Sequence, residues 1–305
     1  MYKRLELHNH TTESDSNLTV QELIHLMQAD HVDAFALTDH NTISGHIKAQ
    51  ALLKEQNIAM SCIYGMEYTT YYGHILCLNL KEYVPWENIN RHKPERLFLA
   101  TKAKGAIAGI AHPFSCGYPI ATCGFEMTFT DYSCIDFIEV FNNPEPLYEV
   151  NERGLLWWED LVLGGYPIAA SSGMDLHGHN SMHHQFATFI EGIPEGNIEE
   201  ELATAFQSKR TWISKGPILE AHINESTKAL TFSIVATNKP GYQEQPHTPY
   251  VLSLRTQKGT LSFNFNDKAP LTISLQDLDS IIIPKLYQGS TDIMNLVAIA
   301  PVIYL

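Results

Sequence analysis

Leu5-Glu6-Leu7-His8-Asn9-His10 is a short apolar run that ends in two histidines, and the fold reading starts there. Residues two apart on a strand leave the same face, so His8 and His10 can reach one ion. The construction recurs. Asp15 follows the first pair, and His40 closes Phe35-Ala36-Leu37-Thr38-Asp39-His40. Glu67 follows Ile63-Tyr64-Gly65-Met66, and His74 stands beside Ile75-Leu76-Cys77-Leu78. His112 ends the run from Ala106 to Ala111, and Asp175 and His177 repeat the two-apart spacing after Ser171-Ser172-Gly173-Met174. Imidazole nitrogens and carboxylate oxygens are the ligands that Zn, Mn and Fe take from a protein. A cluster of them supports hydrolysis by a metal-activated water.

Working outward, residues 1 to about 215 alternate short apolar runs with helix-period segments, the pattern of strands followed by helices over a largely parallel sheet. Strands are predicted at Leu5–His8, Ala34–Thr38, Ser61–Tyr64, His74–Leu78, Ala106–Ala111, Ile135–Phe141 and Pro167–Ala170. Thr19 with Glu22, and Asn197 with Glu200, form capping boxes that open two helices. Helices are also predicted over Ser44–Gln56, Pro94–Lys104 and Leu147–Leu163. Almost every candidate ligand then falls at the C-terminal end of a strand, where the loops of a parallel barrel converge on one cup.

After Gly216-Pro217 the helix signals stop and alternation takes over: Leu219, Ala221, Ile223; Leu230, Phe232, Ile234; then two runs around a Lys258-Gly259 turn. This places a large α/β unit at 1–216 and a small antiparallel β domain at 217–305. With 44% hydrophobic residues in 305 the chain can bury a large core. A formal net charge of −14 argues against a surface for duplex nucleic acid, which needs clustered cations; a small or unstacked nucleotide can still enter a metal-lined pocket. No run is long enough to span a bilayer, and Met1–His10 lacks the apolar segment of a signal peptide, so a cytoplasmic location is expected. The five cysteines form no CxxC pair and read as reduced thiols, with Cys116 and Cys123 the two placed near a pocket.

Asn142 and Asn143 stand where a strand delivers residues to the cup, and packing does not explain asparagine there. They are candidate substrate contacts. Arg153, the only arginine on the segment leading into the last ligand motif, and His179, close after His177, join them. His183 and His184 border the same pocket, and Asp39 is placed to orient a ligand histidine. His25, His31, His46, His92, His222 and His247 suit solvated or capping roles, and Trp157 and Trp158 suit packing.

In order, HNHTTESD, LTDHNT, YGMEY, GHIL, AHPF and SGMDLHG resemble the successive motifs of the polymerase and histidinol phosphatase (PHP) superfamily, over roughly residues 5–180. Lys209–Leu219 and the β-rich tail further resemble the branch with carbaryl-type hydrolases. The resemblance implies a distorted seven-stranded (β/α) barrel holding two to three divalent ions, Zn, Mn or Fe. It implies one ion on His8, His10, Glu67 and Asp175, a second on Asp15, His40 and His177, and a third on Glu67, His74 and His112, with Glu67 bridging. Asp15, Glu67 and His177 are the candidate catalytic residues. The activity expected is phosphoesterase action on a small phosphomonoester or nucleotide. A carbamate, amide or ester hydrolase on the same metals, and a non-catalytic metal-stabilised module, are the alternatives.

Overall fold

The alternation predicted from the sequence is present: β1 (Tyr2–Glu6), α1 (Val20–Ala29), β2 (Ala34–Leu37), α2 (Gly45–Glu55), β3 (Ser61–Thr70), β4 (Gly73–Leu78), α3 (Glu95–Lys102), β5 (Ile107–Ile110), β6 (Phe137–Phe141), α4 (Glu149–Leu163) and β7 (Ala169–Ser172). The computed structural model describes residues 1–115, 125–142, 149–181, 185–235 and 249–305. Thr19 caps α1 by accepting the Glu22 N–H, while the Glu22 carboxylate accepts the Thr19 N–H at 2.8 Å. Helix α5 (Ile198–Gln207) departs from its expected box. Asn197 accepts the Glu199 and Glu200 N–H groups, but Glu200 returns the contact to the Asn197 side chain rather than to its backbone.

Strands β1, β2 and β3 run parallel, with Leu5 opposite Ala34 and Ala34 opposite Ser61; β5, β6 and β7 are parallel as well. Between these triplets β4 is reversed and pairs antiparallel with both β3 and β5. A two-residue connection, Tyr71-Tyr72, makes that reversal, and Gly73 takes the φ of +122° that side chains resist. The two ends of the run meet at a parallel bridge between Asn9, just beyond β1, and Leu176, just beyond β7. One face of the strands gathers Leu5, Leu7, Ala34, Ala36, Ile63, Leu76 and Phe137 with Leu202 and Phe206 of α5. The other face packs Phe35 and Leu37 against α1 and α2, and Ile138 and Val140 against Leu155 and Trp158 of α4.

Two strands absent from the sequence reading, β8 (Ala187–Glu191) and β9 (Trp212–Ser214), extend the sheet antiparallel from the outer edge of β1. Beyond β9 the same sheet continues through β16 (Leu296–Ile299), β15 (Ile281–Gln288), β12 (Tyr250–Thr256) and β13 (Gly259–Phe265), and β17 (Ile303–Tyr304) pairs with β15. Strands β10 (Ile218–Asn224), β11 (Ala229–Val235) and β14 (Leu271–Ser274) form a second, three-stranded sheet. The fold is mixed α/β with a parallel-rich centre, and the main sheet crosses the expected boundary at 216. Of the tail's strands among the described residues, β10, β11 and β14 stand apart from it. Among the described residues no helix is long and apolar enough to cross a membrane.

Candidate metal centre

The Asn9–Leu176 bridge explains the two-apart spacing. Its flanking residues, His8 and His10 on one side and Asp175 and His177 on the other, alternate away from the bridging pair and so share a face. His10 Nε2 lies 3.1 Å from Asp175 Oδ1, and the His10 and His177 rings stack with centroids 4.1 Å apart. Bridge bonds fix the register: His10 N–H donates to Leu176 O at 3.0 Å and Leu176 N–H to His8 O at 3.2 Å.

The other candidates reach the same rim from their own strand ends. His40 lies beyond β2 and forms a second parallel bridge with Glu67 of β3. His74 opens β4 rather than ending it, yet the antiparallel register, Thr69 opposite His74, brings it to the rim. His112 lies just beyond β5. Glu67, fully buried, is the hub: Oε1 lies 2.9 Å from His74 Nδ1 and 3.0 Å from His112 Nε2, and Oε2 lies 2.7 Å from His40 Nδ1.

Three groups have one ligand atom per residue within 4.8 Å of all the others: His8, His10, Glu67 and Asp175; His10, Asp15, His40 and His177; and Glu67, His74 and His112. The first and third are the sets implied by the family resemblance, and the second gains His10. A fourth, His8, His112 and Glu139, contains a residue that the sequence reading passed over. The available signal was an acid inside the apolar run Ile138 to Phe141, where packing cannot account for it.

The donor chemistry fits divalent cations. His8 Nε2, His10 Nδ1 and His74 Nε2 are buried without a hydrogen-bond partner, a costly state that a metal relieves. Among the described residues no lysine or arginine pairs with Glu67, Asp175, Asp15 or Glu139, so only imidazoles compensate these carboxylates. Burial opposes ionisation of Glu67, but the surrounding His74, His8, His112 and His40 hold its carboxyl well below the usual range. Burial likewise pushes His112 down, and the Glu67 hydrogen bond with the Asp175 charge outweighs it, raising His112 to about 9. Loading with metal would displace the proton that His112 holds.

Two of these residues hold left-handed backbone, His112 at φ +23° and Asp175 at φ +48°. Such strain in non-glycine residues concentrates at functional sites. Gly173 supplies the space beside them. A methyl group there would stand 2.6 Å from His8 Cβ and 2.9 Å from Glu139 Oε1. Gly173→Ala is therefore expected to lose about 1–3 kcal/mol of stability in the metal-free protein by urea unfolding, the range for overpacking a filled core. A wild-type midpoint would show that the loop can move aside.

The remaining candidates divide. Asn142 is buried beyond β6, donates from Nδ2 to Asp175 Oδ2 at 3.4 Å and leaves Oδ1 without a partner. Arg153 is exposed on α4, its guanidinium 4.6 Å from the centre of the Phe114 ring, and His179 is exposed beyond His177. Asn143, His183, His184, Cys116 and Cys123 lie outside the described residues. Asp39 does not orient a histidine as expected. Its carboxylate accepts from Thr11 N–H at 2.7 Å and from the Thr11 and Ser14 hydroxyls, holding the turn that carries Asp15. Cys62, Cys77 and Cys134 are free and buried.

A parallel-rich α/β sheet that gathers buried histidines and carboxylates able to hold metal at one rim defines the class of site, and residues 6–108 match the PHP domain. A 5'-3' exoribonuclease of Haemophilus influenzae is 38% identical over 89 residues, which are 28% of this chain and 32% of that protein. A 5'-3' exoribonuclease of Escherichia coli is 29% identical over 115 residues, 34% of this chain and 39% of that protein. The matches thus span only about a third of these relatives' own length. Among solved structures, a two-domain protein containing a predicted PHP-like metal-dependent phosphoesterase from Bacteroides vulgatus shares the fold. Its TM-score is 0.56 at 17% identity, over 100% of this chain and 95% of that one.

Proposed function

We propose that this protein is a metal-dependent phosphoesterase acting on a small phosphomonoester or nucleotide. The observation that carries the reading is the convergence of unpartnered imidazole nitrogens and carboxylates that only imidazoles compensate at one rim of a fold that includes a PHP-domain match. Divalent ions, Zn, Mn or Fe, would lower the pKa of water into the neutral range and neutralise charge on phosphoryl oxygens. His8, His10, Glu67 and Asp175 would hold one ion, Asp15, His40 and His177 a second, and Glu67, His74 and His112 a third. We read β1 to β7 as a distorted barrel closed at the Asn9–Leu176 bridge, with residues 217–305 appended.

Asp15 and His177 face the open side, with side chains 59% and 37% exposed. Their separation, 3.2 Å from His177 Nε2 to Asp15 Oδ1, lets them pass a proton between the cluster and solvent. His177 Nδ1 donates to the Asp175 carbonyl at 2.8 Å, which aims Nε2 outward. Asn142, Asn143, Arg153 and His179 are assigned to the substrate.

Exoribonuclease names among the relatives favour an RNA end as the ester, a single strand that needs no duplex-binding surface. The test is elemental analysis of the purified protein, then a panel of aryl phosphate mono- and diesters, nucleotides, a 5'-phosphorylated oligoribonucleotide and a naphthyl carbamate, before and after chelation. Chelator-sensitive release of phosphate or nucleotide is expected. Metal-loaded protein that leaves every phosphate ester untouched would overturn the reading, and carbamate turnover alone would move it to the carbaryl-type branch.

A further inference from the structure

We propose that Glu139 is the positioning residue that sets the orientation of His8 for cation binding and ties His8 to His112. The inference rests on the metal-centre reading above and adds to it a residue outside the ligand sets that the family resemblance implies. Glu139 lies in β6, 1% exposed. Both of its carboxylate oxygens lie close to His8 Nδ1, Oε1 at 3.0 Å and Oε2 at 3.1 Å. A carboxylate at this distance only accepts, so the ring proton sits on Nδ1. The Nε2 lone pair is then free, and it points between Glu67 Oε1 at 3.5 Å and Asp175 Oδ1 at 3.4 Å. That nitrogen has no hydrogen-bond partner, as expected of an atom held ready for a cation.

The same carboxylate does a second job. Oε2 accepts the backbone N–H of His112 at 3.1 Å, and His112 is the ligand whose φ is +23°. One buried acid therefore orients a ring in the first ligand group and anchors the strained backbone of a ligand in the third. The His8 and His112 rings stack with centroids 5.5 Å apart over this shared support. Glu6 has no such reach. Its Oε1 accepts the backbone N–H groups of His8 and Met174 and so fixes the main chain alone.

Glu139→Gln separates the roles. Glutamine keeps the volume, but it gives the imidazole an uncharged acceptor and replaces one oxygen with a group that cannot accept from His112. The experiment titrates full-length wild type and Glu139→Gln with Zn²⁺ and Mn²⁺ against a chromophoric chelator, and follows melting of the metal-free proteins. Expected is a fall of about tenfold to a hundredfold in affinity at the sites that use His8 and His112. The Asp15, His40 and His177 site keeps its affinity, so the loss is selective. Glu139→Asp, which keeps the charge on a shorter arm, recovers part of the loss. Wild-type affinity at every site in Glu139→Gln overturns the proposal, as does uniform weakening with a lowered metal-free midpoint, which marks a general structural role. Wild-type protein that takes up neither ion overturns the metal-centre reading itself, and this inference with it.

Discussion

Glu67→Gln is expected to reduce phosphoesterase turnover on the order of a thousandfold and to lower the number of tightly held divalent ions. Glu67 is the residue on which the ligand groups converge. Its two oxygens lie within 3.0 Å of His74, His112 and His40, and 3.5 Å from both His8 and His10. Glutamine would preserve the shape of this hub and remove its charge. The amide would also present hydrogens to rings that the carboxylate only accepts from. A bridging anion shared by two cations offsets their mutual repulsion, and losing it forfeits several kcal/mol of charge stabilisation, which at 1.36 kcal/mol per tenfold is about three decades of rate. Steady-state kinetics and metal counting on the same preparation decide the matter. Unchanged turnover with unchanged stoichiometry would remove Glu67 from the centre.

Much of this hub is legible from residues alone, because period-2 apolar runs that end in His, Asp or Glu place those side chains at one rim whenever the strands run the same way. His74 shows the limit of that argument. It precedes its run, and only the reversal of β4 brings it to the others. The local cue is Gly73 after Tyr71-Tyr72, whose positive φ becomes evident only once the hairpin forms. Glu139 was hidden for a different reason. In Phe137-Ile138-Glu139-Val140-Phe141 it shares parity with two phenylalanines, and periodicity reads the segment as a buried strand without asking what an acid does inside it. Asp39 misleads in the opposite sense. Adjacency to His40 in sequence puts it on the other side of the extended chain, where it meets Thr11 and Ser14 instead. The joining of the tail to the main sheet through β9 and β16 was not readable, since strands of two or three ladder partners carry too little pattern to announce their neighbours.

Lys285→Met is expected to destabilise the protein by about 3–5 kcal/mol, the range for stranding one partner of a buried ion pair. Lys285 on β15 is 8% exposed and Glu159 on α4 is 1% exposed, and Nζ lies 2.5 Å from Oε1. Among the described residues the other cation within ion-pair reach of Glu159 is Arg255 of β12, its Nε 3.8 Å from Glu159 Oε2 and without a hydrogen-bond partner. Arg255 is too far to replace the ammonium without moving its strand, so Glu159 would stay buried and uncompensated or take up a proton at a cost. Attraction across the pair and the desolvation of its members nearly cancel. Removing both charges together, in Lys285→Met with Glu159→Leu, should therefore recover most of the loss. Urea unfolding of the two variants separates these terms, and a double variant as unstable as the single one would show that shape rather than charge is at stake. The location gives the result a bearing on the site. Helix α4 carries Asn151, which donates to the Asn142 carbonyl at 3.1 Å, and Gly154, which abuts Pro113 next to His112. If the ion pair seats α4 against the tail's strands, Lys285→Met should loosen this side of the cluster before the opposite side, where Asp15 and His40 sit in loops after β1 and β2, strands that do not pair with β15. Metal titration of the variant under native conditions reads that difference as weakened uptake at the His112 group with the Asp15 group unchanged.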